Sequence, residues 1–499
     1  MEHKSITVIG AGIAGLSAGC YGQMNGYRTR VFEMHDSPGG LCTSWNRKGY
    51  TIDGCLAWLV GSSPAVGFHR IWQELGAVQG QRMIDHEEYL RVEGKAGKTF
   101  IVYRDIDRLE RHMKELAPQD SHVIEELTGA ARACARFDLP VDKAPELYGT
   151  IHGISFLIRM FPFLRLLSKW KKITLREYAG RFSDPFLREA LPLLGDMPGF
   201  PTAILIMILA WTHRKSAGYP LGGSLGFSRR IERRYLDLGG EIHYRSPVRE
   251  IMVENDKAVG VRLADGTTHR SDIVISAADG HSTIFDMLGG KYIDDKIRRY
   301  YDELPVFPPL IQVALGVARS FEGLPPAVLY FLDEPVVIGG QERRYFPVEI
   351  YNFDPTLAPP GKTVVKVLLA SDYAYWKNLE QDPARYRVEK EKIADQVIGL
   401  LDRRYPGLAG QVEMRDVATP LTWERYTGNW RGCFEGWLIT RQTFPPFHMS
   451  KTLPGLKDFH MAGQWVEPGG GVPTAAMSGR NVIQILCKRD RRTFVTQTP

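Results

Sequence analysis

The chain has 499 residues, of which 44% are hydrophobic and 24% charged. That is an ordinary globular composition, too long for one compact core, so two or three domains are expected and disorder, collagen-like repeats and coiled coil are excluded. The net charge of +6 is modest, and no nucleic-acid motif accompanies it, so a nucleic-acid partner is not expected.

Only MEHKS precedes the first apolar run, and no leader is expected from it. Ile6-Thr7-Val8-Ile9 is a β-branched strand. It runs into Gly10, Gly12 and Gly15, a GxGxxG turn that opens a helix through Ile13 and Ala14. Gly10 permits the tight turn, Gly12 lets the backbone approach a pyrophosphate, and Gly15 lets the helix pack on the strand. The helix N-terminus offers free N–H groups and a positive dipole end to phosphates. Gly26 marks the helix exit, and Thr29–Phe32 is a second strand ending at Glu33 and Met34. An acid there accepts hydrogen bonds from a ribose and repels a 2′-phosphate. A strand, this turn, a helix and that acid in order predict a dinucleotide site.

A second glycine pair, Gly39-Gly40, follows with Leu41, Thr43 and Ser44, and then Gly49, Tyr50, Ile52, Asp53 and Gly54. This run resembles the extended FAD signature of the flavin amine oxidase and carotenoid desaturase superfamily. The resemblance implies FAD, with Gly39, Gly40, Leu41, Thr43 and Gly54 as contacts. It also implies an α/β fold: a Rossmann-type, glutathione-reductase-like FAD domain with an interleaved α+β substrate domain. One departure is Leu41, where the superfamily often has arginine.

From Leu147 to Arg176 there is no acidic residue, while Arg159, Arg165, Lys169, Lys171, Lys172 and Arg176 alternate with aromatic and aliphatic side chains. That pattern fits either a membrane-surface helix or a buried helix with a solvated basic face. The longest wholly apolar stretch, Ala203–Trp211, is too short to span a bilayer. The segments 154–170 and 200–211 are candidates to line an apolar tunnel, or plain core.

A helix is expected over about Ser224–Leu238, capped by Gly239-Gly240, followed by strands Glu241–Tyr244, Val248–Val253, Val259–Leu263 and Ile273–Ser276, with Asp265-Gly266 as a hairpin turn. The resemblance implies that Val248 lies beside the adenine and that the segment around Ala278 returns to the cofactor. Farther on, Thr419–Trp437 gathers Trp423, Arg425, Tyr426, Trp430 and Trp437, either covering the site or packing as core, and Cys433 is reactive only if its thiol pKa is lowered.

Near the C-terminus Phe459–Ala462 reads as a strand, and the run GQWVEPGGGVPTAAMSG, Gly463 to Gly479, follows as a glycine loop and a helix with Pro473 at its first position. In the carotenoid desaturase, carotenoid isomerase and retinol saturase branch, which this run resembles, the loop lies against the flavin. The resemblance implies contacts at Gly463, Gly470, Gly471, Val472 and Ala475. Glu467 is the candidate catalytic residue, or a solvated loop carboxylate.

These motifs divide the chain into an FAD domain, 1–99 with 221–300 and 455–499, and a substrate domain, 100–220 with 301–454. The six cysteines form no CxxC or zinc-ligand cluster, so a reduced, cytoplasmic protein and no metal are expected, with peripheral membrane contact left as the alternative that the basic segment offers. No second GxGxxG follows a strand, so electrons are expected to pass through the substrate, oxygen, a quinone or diffusing NAD(P)H. The expected function is oxidoreduction or isomerisation at a C–C or C=C bond of a hydrophobic isoprenoid or polyene. The competing readings are an amine oxidase and a non-catalytic FAD-containing lipid carrier.

Overall fold

A computed structural model describes residues 4–138, 140–444, 449–467 and 469–499, apart from the side chains at 96, 150–157 and 159. The fold is mixed α/β.

Strand β1 (Ser5–Ile9), helix α1 (Ile13–Met24) and strand β2 (Arg28–Phe32) open the chain, followed by the hairpin β3 (Ser44–Arg47) and β4 (Tyr50–Asp53). A further hairpin, β5 (Glu88–Glu93) and β6 (Thr99–Tyr103), precedes a mostly helical stretch. That stretch includes α2 (Ile106–Leu116), α3 (Ser121–Ala135), α4 (Thr150–Trp170) and α5 (Thr202–His213). Helix α6 (Gly223–Asp237) then leads into β7 (Glu241–His243), β8 (Val248–Glu254), β9 (Lys257–Leu263), β10 (Thr268–Arg270) and β11 (Ile273–Ser276). The second half holds β12 (Leu310–Val317), β13 (Ala327–Ile338), β14 (Gln341–Ile350), β15 (Thr363–Ala370), α7 (Pro383–Arg404), β16 (Val412–Ala418) and β17 (Phe459–Met461), and α8 (Gly471–Arg489) closes it.

Strands from the start, middle and end of the chain form one five-stranded parallel sheet, in the order β7-β2-β1-β11-β17. Both faces are covered, so β1 and β11 read as nearly continuous apolar runs and are buried throughout, Ser5 excepted. On one face α1 crosses α8 at very short range: a Cβ at Gly479 would stand 2.3 Å from the Ala14 carbonyl oxygen. The Ser17 hydroxyl donates to the Ala476 carbonyl at 2.6 Å across the same crossing. The small residues after the glycine loop are therefore there for helix–helix contact.

A seven-stranded sheet, β16-β12-β15-β14-β13-β5-β6, is antiparallel except where β13 meets β5. The 88–103 hairpin thus belongs to this second sheet, although its first strand was expected with the N-terminal segment. Helices α2, α3, α4 and α5 pack into a separate apolar core. Ala203, Leu205, Ile206, Leu209 and Ala210 of α5 lie within it, so α5 is core. In α4, Met160, Phe163, Leu167 and Trp170 face that core while Ile158 and Phe161 are 71% and 61% exposed. The remaining tunnel candidates of that segment, side chains 154–157 and 159, lie outside the described residues. Among the described residues no helix is long and apolar enough to cross a membrane.

Candidate active-site cleft

The carboxyl ends of β1, β2 and β11 open onto a cleft of about 350 Å³. The GxGxxG turn forms one wall. Gly10 has φ +93°, which costs an L-residue strain, and its N–H donates to the Phe32 carbonyl at 2.8 Å. Gly12 precedes α1 in extended conformation and bridges to Gly39, whose own N–H donates to the Ala11 carbonyl at 2.9 Å. Gly15 does not line the cleft: a Cβ there would stand 2.0 Å from the Gly10 carbonyl oxygen, so its role is to seat the helix on the turn.

Glu33 is buried at the end of β2. Its Oε2 accepts the Ala11 N–H at 2.7 Å and its Oε1 accepts the His35 N–H at 2.9 Å. Each carboxylate oxygen keeps a further lone pair for another donor. The strand-end acid therefore braces the glycine turn while lining the cleft.

The cleft is lined by Gly10, Gly12, Ile13, Ala14, Glu33, Met34, Gly39, Gly40, Leu41, Val248, Ala278, Gly463, Gly471, Val472 and Ala475. Of the other expected positions, Thr43 and Gly54 lie behind it, joined by a Gly54 N–H to Thr43 carbonyl bond of 3.0 Å. Gly470 is the residue before α8, with φ +60° and ψ −167°. Helix α8 begins at Gly471, so Pro473 sits inside its first turn rather than at its first position. Pro468 lies outside the described residues.

Glu467 does not line the cleft. Its carboxylate is held at 2.6 Å by Lys451, which is 2% exposed and also pairs with Glu146. Burial works to lower the Lys451 pKa, and Glu467 and Glu146 overcome it and raise it. Glu467 is thus an ion-pair partner of a buried lysine.

Two other carboxyls line the cleft instead. Burial pushes Asp279 up to about 6, against the Ser282 and Trp430 N–H groups that each donate to it at 2.8 Å. Glu435 is pushed up to about 8 by burial, with the Gly471 N–H working in the opposite direction. What exposure Glu435 keeps opens into the cleft. The shift favours its protonated form near neutral pH. Nothing in CFEG marked it, because the low-dielectric surroundings come from residues distant in sequence.

The aromatic-rich stretch does both things expected of it. Tyr426, Thr427, Gly428 and Asn429 line the cleft, while Trp437 is fully buried against Tyr301 and Trp465. Burial raises the Cys433 thiol pKa well above its ordinary value, so Cys433 is not an activated nucleophile.

This lining fits an elongated dinucleotide. Helix α1 points its N-terminus at the cleft, two glycine turns leave room for close backbone approach, and a braced carboxylate stands at the strand end. Among the described lining residues there is no Lys, Arg or His, so what they offer an anion is backbone N–H groups and the helix dipole. Ile9, Ile13, Leu41, Phe434 and Val472 add apolar surface between the polar groups.

Comparison with known proteins agrees over nearly the full length. Residues 13–485 match the family described as flavin containing amine oxidoreductase. The chain is 25% identical to a lycopene-forming phytoene desaturase of Pseudescherichia vulneris, over 97% of this chain and 99% of that one. It is also 25% identical to a chloroplastic prolycopene isomerase of Daucus carota, over 96% and 79% respectively. In fold it is similar to an oxidoreductase from Methanosarcina mazei, with TM-score 0.60 and 19% identity over 96% of this chain and all of that one.

Proposed function

The chain belongs to the flavin containing amine oxidoreductase family, in its phytoene desaturase-like group, and is an FAD-dependent oxidoreductase; from that premise we propose that it acts on a C–C or C=C bond of a hydrophobic isoprenoid or polyene. The observation that carries this reading is the match to a lycopene-forming phytoene desaturase over 97% of this chain and 99% of that one. When bound, FAD supplies hydride exchange at flavin N5.

The residues divide the work. Gly10, Gly12, Ile13 and Ala14 hold the pyrophosphate at the α1 N-terminus, with Gly39 and Gly40 closing over it. Glu33 takes ribose hydroxyls, and Met34 and Val248 flank the adenine end. Leu41, Ala278, Gly463, Gly471, Val472 and Ala475 bear on the flavin end, while Gly15, Thr43, Gly54 and Gly470 shape the turns behind. The FAD-binding unit is Rossmann-type and discontinuous, comprising the parallel sheet with α1, α6 and α8. Its first segment ends before Glu88, where the second sheet begins.

Hydrogen exchange at a carbon–carbon bond moves a hydride and a proton, and the proton needs a holder. Glu435 fits that role: it lines the cleft and burial favours its protonated form near neutral pH, so it donates a proton in the saturating or isomerising direction. In the desaturating direction its ionised form accepts one, and the rate then rises with pH. Exposed Ile158 and Phe161 on α4, with exposed Arg165, Lys169 and Lys172, suit contact with an anionic membrane surface from which such a substrate is drawn.

The test is an anaerobic screen of polyenes, isoprenoids and amines, read by flavin absorbance and product mass. Flavin bleaching or recolouring by a polyene, or a polyene product of changed mass or altered double-bond geometry, supports the proposal. Response to an amine alone overturns it in favour of amine oxidation, and response to none favours a lipid carrier.

A further inference from the structure

A buried asparagine ties three walls of this cleft together. The helix Pro420–Thr427 ends at Gly428, which has φ +66° and donates its N–H to the Glu424 carbonyl at 2.8 Å. The chain then folds back: Gly432 has φ +60°, and a Cβ there would stand 2.1 Å from the Pro420 carbonyl oxygen. Asn429 sits in this turn, 3% exposed and on the cleft wall. Its Oδ1 accepts from Gln464 Nε2 and Trp465 Nε1, both at 3.1 Å. Its Nδ2 donates to the Cys433 carbonyl and lies 3.4 Å from the Glu435 carbonyl oxygen. An indole nitrogen only donates, so the carboxamide takes this orientation and not the reverse. The next residue is fixed as well, because the Trp430 N–H donates to Asp279 Oδ1 at 2.8 Å. On its other edge the Glu435 segment is bonded to residues 305–307. The Phe307 N–H reaches the Gly436 carbonyl at 3.0 Å, and the Leu438 N–H reaches the Pro305 carbonyl at 2.9 Å.

We propose that Asn429 is a positioning residue for Glu435: its carboxamide sets the spacing between the backbone that carries Glu435 and the facing Gly463–Trp465 wall of the cleft. The two segments meet backbone to backbone beside Glu435, since a Cβ at Gly436 would stand 2.7 Å from the Gln464 carbonyl oxygen. One short side chain bonds to both of them. While it does, the Glu435 carboxyl stays buried against the start of α8, and that burial favours its protonated form. Released from Asn429, the segment lets water reach the carboxyl, and a carboxyl that gains water ionises at lower pH. The other ionisable groups around the turn are Asp279, His281, Tyr301, Arg431, Cys433 and Cys55. Of these, only Cys433 touches the Asn429 carboxamide, with its carbonyl and with its Sγ at 3.4 Å. The inference rests on Glu435 as the proton holder and not on the identity of the substrate.

The test follows the Glu435 titration and needs no substrate. Holoprotein with saturating FAD is melted across a pH series, with and without Glu435→Gln, in the wild-type and Asn429→Ala backgrounds. In the wild-type background the Tm of Glu435→Gln relative to its parent climbs to about pH 8 and then levels. In the Asn429→Ala background the climb is expected to be smaller and to level at least about one pH unit lower. Asn429→Leu has the branching of asparagine and fills its space without its bonds. It carries the same expectation where the alanine variant does not fold. Glu467→Gln, outside the cleft, controls for lost stability alone, and in that background the curve should level where it does in wild type. A wild-type curve in Asn429→Ala or Asn429→Leu overturns the positioning role and leaves Glu435 as the proton holder. A flat curve in the wild-type background overturns Glu435 as the proton holder and the positioning role with it.

Discussion

Glu435 and Gly470 compete for the same space: a Cβ at position 470 would stand 2.0 Å from Glu435 Oε2. Gly470 also adopts φ +60° and ψ −167°, a combination essentially confined to glycine. The missing side chain at the start of α8 thus lets the Glu435 carboxyl sit against the helix N-terminus. Gly470→Ala is expected to cost about 1–3 kcal/mol in backbone strain and to push the Glu435 side chain into the cleft. Flavin content on native purification and Tm should both fall. Adding Glu435→Ala to Gly470→Ala removes the carboxyl from the clash, keeps a tight 3.0 Å Cβ contact and leaves the strain, so the pair should recover part of the flavin content and little of the Tm.

The Glu435 carboxyl gives a pH signature of its own. Its folded-state pKa is raised to about 8 from an ordinary 4.5, chiefly by burial. The fold therefore binds this proton more tightly than the unfolded chain does. The resulting stabilisation is complete below about pH 4.5 and is lost as pH rises through about 8. Glu435→Gln keeps the shape and removes the titration. The Tm of the variant relative to wild type, with saturating flavin in both, is expected to climb between about pH 5 and pH 8 and then level. A flat difference would show that Glu435 titrates in its ordinary range. Substrate-driven flavin reoxidation should lose its fall near pH 8 in the same variant.

How much of this was legible depends on what kind of residue carries it. Gly10, Gly12 and Gly15 were legible because strand, turn and helix need glycine at those spacings, and Glu33 because it ends the next strand. The discontinuous sheet was legible in pieces, since β1, β2, β11 and β17 each read as short apolar strands. Membership of the 88–103 hairpin in the second sheet was not, because its partner Ala327–Ile338 lies far away in sequence. Glu435 was hidden for the same reason, since a carboxyl's pKa is raised through burial by surroundings that no local pattern encodes. Glu467 drew attention because it sits in the glycine loop, and its pairing with the buried Lys451 could not be read from that loop.

Glu33 has two duties that separate experimentally. Ala11 is fully buried, and its N–H is bonded to Glu33 Oε2. Glu33→Ala orphans that donor at a cost of about 1–3 kcal/mol. Flavin affinity, read from the fluorescence released on dilution, should drop by about tenfold or more. Glu33→Gln keeps one acceptor oxygen, so its Tm should lie nearer wild type while its flavin affinity still falls. An unchanged affinity in both variants would mean that Glu33 braces the turn and touches nothing beyond it.

Glu467→Gln tests whether the glycine-loop acid takes part in chemistry or in structure. Lys451 is buried with Glu467 and Glu146 as its two carboxylate partners. The Gln variant leaves Lys451 one full partner and is expected to lose about 1–3 kcal/mol of stability. Lys451→Met leaves two carboxylates facing each other with their cation gone, at about 3 kcal/mol, the low end for breaking a buried pair because both carboxylates keep some solvent. In neither variant should the rate constant for anaerobic flavin reduction or reoxidation by substrate change by more than about threefold at a temperature where the fold is intact. Glu435→Gln, measured beside them, should lose rate without losing stability at pH 7. A Glu467→Gln enzyme with wild-type Tm and a rate reduced a hundredfold would return Glu467 to the chemistry and remove Glu435 as the proton holder.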